Sequence, residues 1–130
     1  MDDIKNREDV FVLVDTFYAR IRQDELLGPI FNKHISDWPA HLEQLTDFWE
    51  TNLFMVSKFK GFPMRKHFEV DRAEDYSITE YHFGIWLNHW FQTLDGLYKG
   101  ERADLAKNRA RQMGSHFYLN MFKAKPKKEA

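Results

Sequence analysis

Between Glu8 and Gln23 the apolar residues Val10, Leu13, Val14, Phe17, Tyr18 and Ile21 recur at spacings of three and four. This is the pattern of a helix with one buried face, and Asn6, three positions before Asp9, is placed to cap its start. Gly28-Pro29 closes the exit from that helix, and Pro29 can open a short turn carrying Ile30 and Phe31. A second long helix is predicted from Trp38 or Pro39 to Ser57. Its stripe runs Trp38, Leu42, Leu45, Trp49, Leu53 and Val56, with Phe48 beside it and His41 on its shoulder, four residues before Leu45.

Pro63 suits the first position of a short helix ending near His67 or Phe68, and the acidic stretch "EVDRAEDYS" reads as an irregular connection. Ser77 and Glu80 form a capping-box pattern ahead of a third long helix. There Ile78, Tyr81, Ile85, Trp86, Leu87, Trp90, Leu94 and Leu97 cover more than one face, so this helix is expected at the centre. A fourth, from about Arg102 to Phe122, carries Ala106, Ala110, Met113, Phe117 and Met121 on one stripe and then breaks into "KAKPKKEA". No run alternates with period two for long enough to argue a strand. The expectation is an all-α fold, with one domain over residues 1–122 and a basic, disordered tail over 123–130.

Composition narrows the chemistry. The chain has 130 residues, enough for one core and one enclosed cofactor. Its formal net charge of -1 supplies no field that would draw the domain onto nucleic acid or an anionic membrane. The absence of cysteine excludes disulfides, thiolate ligands and covalent haem attachment, so any metal must use His, carboxylate or Tyr. An acidic, polar N-terminus and the lack of a long apolar run make a cytoplasmic protein the expectation. Aromatic content is high at 16%, with Phe 12 and Trp 4, which suits a flat ligand and equally suits plain packing.

The familiar catalytic patterns are missing. None of the six histidines are spaced as in His-Glu-x-x-His, no repeated Glu-x-x-His supports a di-iron site, and there is no Gly-rich phosphate loop or Gly-x-Ser-x-Gly elbow. What remains is His67 on a short helix, opposite a helix bearing His41, among aromatic-rich helices. A haem would use such an arrangement: an axial imidazole, an apolar slot and a small polar pocket for a diatomic ligand. On the residues alone the plainer readings stand beside it. His67 reads as an ordinary helix-end histidine, Tyr18 and Trp86 as core aromatics, and His41 as a solvent-facing histidine.

Taken in order, "TFYARIRQDELLGPIFN", "WPAHLEQLTDFW", "MRKHFEV", "FGIWL" and "RARQMGSHFYLNMF" resemble the third subgroup of the truncated haemoglobins, from about Val10 to Phe122. The resemblance implies a two-over-two helical sandwich around non-covalent haem b, with His67 as the iron ligand. It places Tyr18, His41 and Trp86 toward the open iron site, and makes Phe31, Leu45, Phe48 and Phe68 the apolar contacts of the porphyrin. The stretch from His67 to Trp86 is longer than the family usually carries, and Arg65 and Lys66 are only charge-compatible with the propionates.

The implied partners are oxygen, nitric oxide and carbon monoxide. Donors at Tyr18, Trp86 and His41 would retain a negatively polarised ligand, which favours nitric oxide detoxification or peroxidase-like turnover over bulk oxygen transport. Such turnover needs an external reductase, since nothing in the chain resembles a flavin or nicotinamide domain. The rival expectations are a haem-free helical interaction module and a gas sensor working through a separate output partner.

Overall fold

The apolar stripe of the first helix organises the molecule. In the computed structural model, which describes residues 1–56, 70, 72, 74 and 78–124 and side chains as far as residue 116, Val10, Leu13, Val14, Phe17 and Ile21 are wholly buried. They lie on α1, Arg7–Gln23, which packs against α2, Leu27–His34, α3, Trp38–Phe54, and α4, Glu80–Leu97. The last helix, α5, Glu101–Ala124, packs on α4 and α3. The described residues contain no strand, and the all-α expectation holds. None of their helices is long and apolar enough to cross a membrane.

Asn6 caps α1 as expected, its side chain accepting from the Asp9 amide at 3.0 Å. The next element departs from expectation. Gly28 and Pro29 do not merely end a helix; they sit in the first turn of the eight-residue α2. A proline is tolerated there because the first-turn amides have no intrahelical acceptor. Gly28 is required for a second reason: a Cβ at this position would stand 2.6 Å from the Arg22 carbonyl oxygen. Only a residue without a side chain lets α2 begin so close to the end of α1.

Asp24 fixes that corner. Its Oδ1 accepts from the Leu26 and Leu27 amides, both at 2.9 Å, and its Oδ2 lies 2.8 Å from His89 Nε2 on α4. Because a carboxylate only accepts, the His89 proton must sit on Nε2. Burial pushes the Asp24 carboxyl up, but His89 and the Leu27 and Leu26 amides outweigh it and hold the carboxyl below its ordinary value. One side chain thus ends α1, opens α2 and joins both to α4.

α3 begins at Trp38 with Asp37 as its cap, accepting from Ala40 N at 3.1 Å. It ends at Phe54, short of the expected Ser57: Met55 turns left-handed at φ 57° and is 91% exposed, and Val56 leaves the buried stripe. Arg7 holds α3 against α1, with Nη1 at 2.6 Å from Asp47 and 2.7 Å from Glu50, and Nη2 at 2.6 Å from Glu43. α4 is capped by Thr79, whose amide donates to His82 Nδ1 at 3.0 Å, rather than by the expected Ser77–Glu80 pair. Trp90 and Leu94 are wholly buried, as a central helix requires, whereas Tyr81 turns out 70% exposed.

Of the stretch expected to be irregular, Val70 and Arg72 are helical, and Glu74 N donates to Val70 O at 3.0 Å. The helix expected from Pro63, Ser77, the side chains of Phe117 and Met121, and residues 125–130 of the expected tail lie outside the described residues.

The N-terminus reaches across the fold to cap α5. Asp3 accepts from the Arg102 and Ala103 amides, each at 2.9 Å, and from Ile4 N at 2.9 Å. Gly100, at φ 149°, makes room for it: a Cβ there would lie 2.5 Å from the Asp3 side chain. Burial raises the Asp3 carboxyl, but these three amides and the Arg102 charge outweigh it and leave the group below its ordinary value. Its stabilising effect is therefore present above the unfolded carboxylate range and lost as pH falls through the lower folded value. Asp3→Ala should cost about 0.5–2 kcal/mol at neutral pH, the range for loss of a cap. Urea unfolding at pH 7 should show that loss, and the gap between wild type and variant should close in acid.

Candidate functional site

Adjacent residues on α1 face two different surroundings. Phe17 packs edge-on to Trp86 and Trp90 of α4, with ring centroids at 5.4 and 4.9 Å. Tyr18 looks toward the α2–α3 side, its ring 5.9 Å from Phe31, 5.7 Å from Trp38 and 5.6 Å from His41. Trp38 is also 5.6 Å from His41 and is covered from outside by the Arg22 guanidinium, 4.5 Å from its ring. Tyr18, Phe31, Trp38 and His41 therefore form one contacting cluster, which Trp86 of α4 joins beside Tyr18.

The polar groups of this cluster are unusual for a core. His41 Nε2 is buried and has no hydrogen-bond partner among the described residues. Such an atom is expensive to leave alone and marks a place where a ligand or an ordered water completes the bonding. Burial alone lowers the His41 pKa, which favours the neutral ring. Burial also raises the Tyr18 hydroxyl strongly; the Trp86 indole N–H, acting on the same oxygen, opposes that shift. An indole can only donate, so any bond between the two runs from the Trp86 N–H to the Tyr18 oxygen.

Of the residues predicted for the site, the structure brings Tyr18, His41, Trp86 and Phe31 together. Leu45 and Phe48 lie half-buried on α3, packed against the core but not sealed within it. His67 and Phe68 lie outside the described residues. Among the described residues no group of three or more His, Asp and Glu is arranged to hold a metal ion. Trp38 was read from sequence only as part of a stripe. Its place three residues before His41 on the same helix was the available signal, since such residues share a face.

No family model matches the sequence. The chain is 30% identical over 122 residues to the group 3 truncated hemoglobin ctb of Campylobacter jejuni, covering 91% of this chain and 92% of that protein. The chain belongs to the group 3 truncated haemoglobins. A crystal structure of the group III truncated hemoglobin from Campylobacter jejuni superposes with a TM-score of 0.84 at 30% identity, covering 98% of this chain and all of the other.

Truncated haemoglobins are globins that bind haem b without a covalent bond, and the residues of this member fit that group. Half-buried Phe31, Leu45 and Phe48 offer apolar surface to a porphyrin, buried His41 Nε2 and the Tyr18 hydroxyl offer polar groups to a small iron ligand, and no thiol is needed. The expected all-α globin-like fold is thereby shown.

The depressed His41 pKa has a defined effect on this truncated haemoglobin's stability. Between the ordinary histidine value of about 6.5 and the lower folded value, the unfolded chain takes up the proton and the folded chain does not. Stability from this residue is therefore present above that window and lost as pH falls through it, by at most about 1.4 kcal/mol per pH unit. His41→Leu should remove this component. Urea unfolding of wild type and variant between pH 7 and about pH 5 should show the shallower acid dependence in the variant.

Proposed function

We propose that this truncated haemoglobin binds oxygen and other diatomic ligands at a haem held by His67, and that it serves nitric oxide or peroxide chemistry rather than bulk oxygen transport. The observation that carries the reading is the buried His41 Nε2, unpartnered among the described residues, on a ring whose centroid lies 5.6 Å from that of Tyr18. Haem iron, when bound, supplies the open coordination position and the electron exchange that the side chains lack.

The chain's own groups do the selecting. Tyr18 presents an O–H that burial keeps protonated, and the Trp86 N–H lies close enough to act on it. His41, neutral at physiological pH, can donate or accept according to its tautomer. Phe31 and Trp38 pack against the Tyr18 ring, and in such apolar surroundings a hydrogen bond is stronger than in water. Dipoles fixed before the ligand arrives also polarise an O–O or N–O bond without further reorganisation.

By the sequence resemblance His67 would hold the haem iron, and Phe68 would lie beside it against the porphyrin. Multiple turnover would need electrons from a separate reductase. A cytoplasmic location accords with this chemistry, in which that partner would be met.

The visible spectrum of haem-loaded protein, reduced and exposed to carbon monoxide, tests the ligand assignment. A histidine-ligated globin spectrum is expected in wild type and should be lost or altered in His67→Ala. No haem uptake by wild type would return the chain to a haem-free helical module. Tyr18→Phe should release oxygen roughly 10- to 150-fold faster by stopped flow, the equivalent of about 1.5–3 kcal/mol for one charge-assisted hydrogen bond. An unchanged release rate would remove Tyr18 from the ligand. With a reductase supplied, nitrate formation from nitric oxide or steady peroxide consumption is expected, and neither would leave binding without turnover.

A further inference from the structure

Three tryptophans stack in a line through the core. Trp86 lies parallel to Trp90, one turn along α4, with ring planes 4° apart and centroids 6.2 Å apart. Trp90 in turn stacks on Trp49 of α3, at 24° and 4.5 Å. Other aromatic pairs in this core are edge-on or tilted: Phe17 against both Trp86 and Trp90 and Phe48 against Trp49 are edge-on, and Tyr18 is tilted against Phe31 and Trp38. These two parallel pairs both join indoles.

This geometry suits movement of electrons. The coupling between two aromatic groups decays steeply with separation, and parallel overlap of π-systems favours it over edge contact. Indole and phenol are the most readily oxidised aromatic side chains, and the chain contains no cysteine to compete with them. Trp90 is wholly buried and donates its N–H to the Ala106 carbonyl at 3.1 Å, so a positive charge on this ring faces a carbonyl dipole and the ring keeps its proton. Trp49 retains 4% exposure where Trp90 has none, which makes it the outer of the two. Trp86, at the other end, meets Tyr18.

We infer that Trp49, Trp90 and Trp86 form a relay that passes electrons singly from an external donor to a haem oxidised by hydrogen peroxide. The relay rests on the peroxide reading proposed above. Reduction of one hydrogen peroxide to two waters takes two electrons and two protons. Each electron leaves the Trp86 indole, is replaced from Trp90, then from Trp49, and finally from an external one-electron donor of the ascorbate class. The protons come from solvent, and each indole keeps its own. With no donor present, the oxidising equivalent comes to rest on Trp49 as a tryptophan radical, away from the Tyr18–His41 space.

Freeze-quench electron paramagnetic resonance on the haem-loaded full chain mixed with hydrogen peroxide tests the relay. Wild type grown with ring-deuterated tryptophan should give a radical signal whose hyperfine structure narrows relative to protein with ordinary tryptophan, and ascorbate should abolish it. Trp49→Phe should change the hyperfine pattern as the radical stops on Trp90. Trp90→Phe should remove the Trp49 pattern and speed haem bleaching at the same peroxide concentration, with haem uptake and helical circular dichroism as wild type. A wild-type protein that binds haem and consumes peroxide but gives no deuteration-sensitive signal overturns the relay and leaves the proposed function standing. So does a signal unchanged in both variants. Failure to take up haem, or to react with peroxide, overturns the reading on which the relay rests and the relay with it.

Discussion

Burial of one face of α1 is the constraint on which the rest depends. Val10, Leu13, Val14, Phe17 and Ile21 have no exposure at all, and α2, α3 and α4 all pack against their helix. Full burial of a large apolar side chain contributes about 1.5–3 kcal/mol, so this single stripe supplies a large share of what holds a chain of this size together. It also fixes direction. Once Phe17 is locked edge-on between Trp86 and Trp90, the helical turn places Tyr18 on the adjoining face, against Phe31, Trp38 and His41. The packing that stabilises the protein and the aiming of its buried hydroxyl are therefore one and the same arrangement.

The site holds one of two departures, among the described residues, from the rule that buried polar side-chain atoms are paired. A core of this kind satisfies its polar atoms, as Trp90 does on Ala106 O and Thr46 does on Leu42 O at 2.7 Å. Among the described residues His41 Nε2 is left without a partner beside Tyr18, as is His89 Nδ1 at the corner held by Asp24. Burial favours the uncharged form of both Tyr18 and His41, so on the proposed ligand they would act as neutral dipoles rather than as ions. The charged groups nearby serve the frame instead: Arg22 over Trp38, Asp24 between His89 and the start of α2, Arg7 between α1 and α3. Stability and ligand chemistry are thus assigned to different side chains only a few ångströms apart.

Periodicity made most of this fold legible. The stripes on α1 and α4 and the alanine positions of α5 follow from 3.6-residue spacing, and Ala106 and Ala110 are indeed wholly buried. What escaped were contacts between residues distant in sequence. Asp3 capping α5 across the chain, and Asp24 meeting His89, have no local signature because a carboxylate three or sixty residues from its partner looks the same in one dimension. α2 was missed as a helix because Gly28-Pro29 reads as a break unless the close approach to Arg22 O is known. The site was legible in a different way. Tyr18, His41 and Trp86 are ordinary residues by spacing, and the family pattern picked them out; their convergence required the crossing of α1, α3 and α4 that only the fold supplies.

The claim at the centre of this account is that Tyr18 and His41 converge on a single ligand position. The carbon monoxide stretching frequency of the haem-loaded, reduced protein reports the polarity of that position most directly, because hydrogen-bond donors pointed at the ligand oxygen weaken the C–O bond. The account predicts a low frequency in wild type that rises when Tyr18 is replaced by phenylalanine. A high frequency in wild type, unmoved by that change, would contradict it: the buried hydroxyl would then face away from the ligand, and the unpartnered His41 would need another explanation.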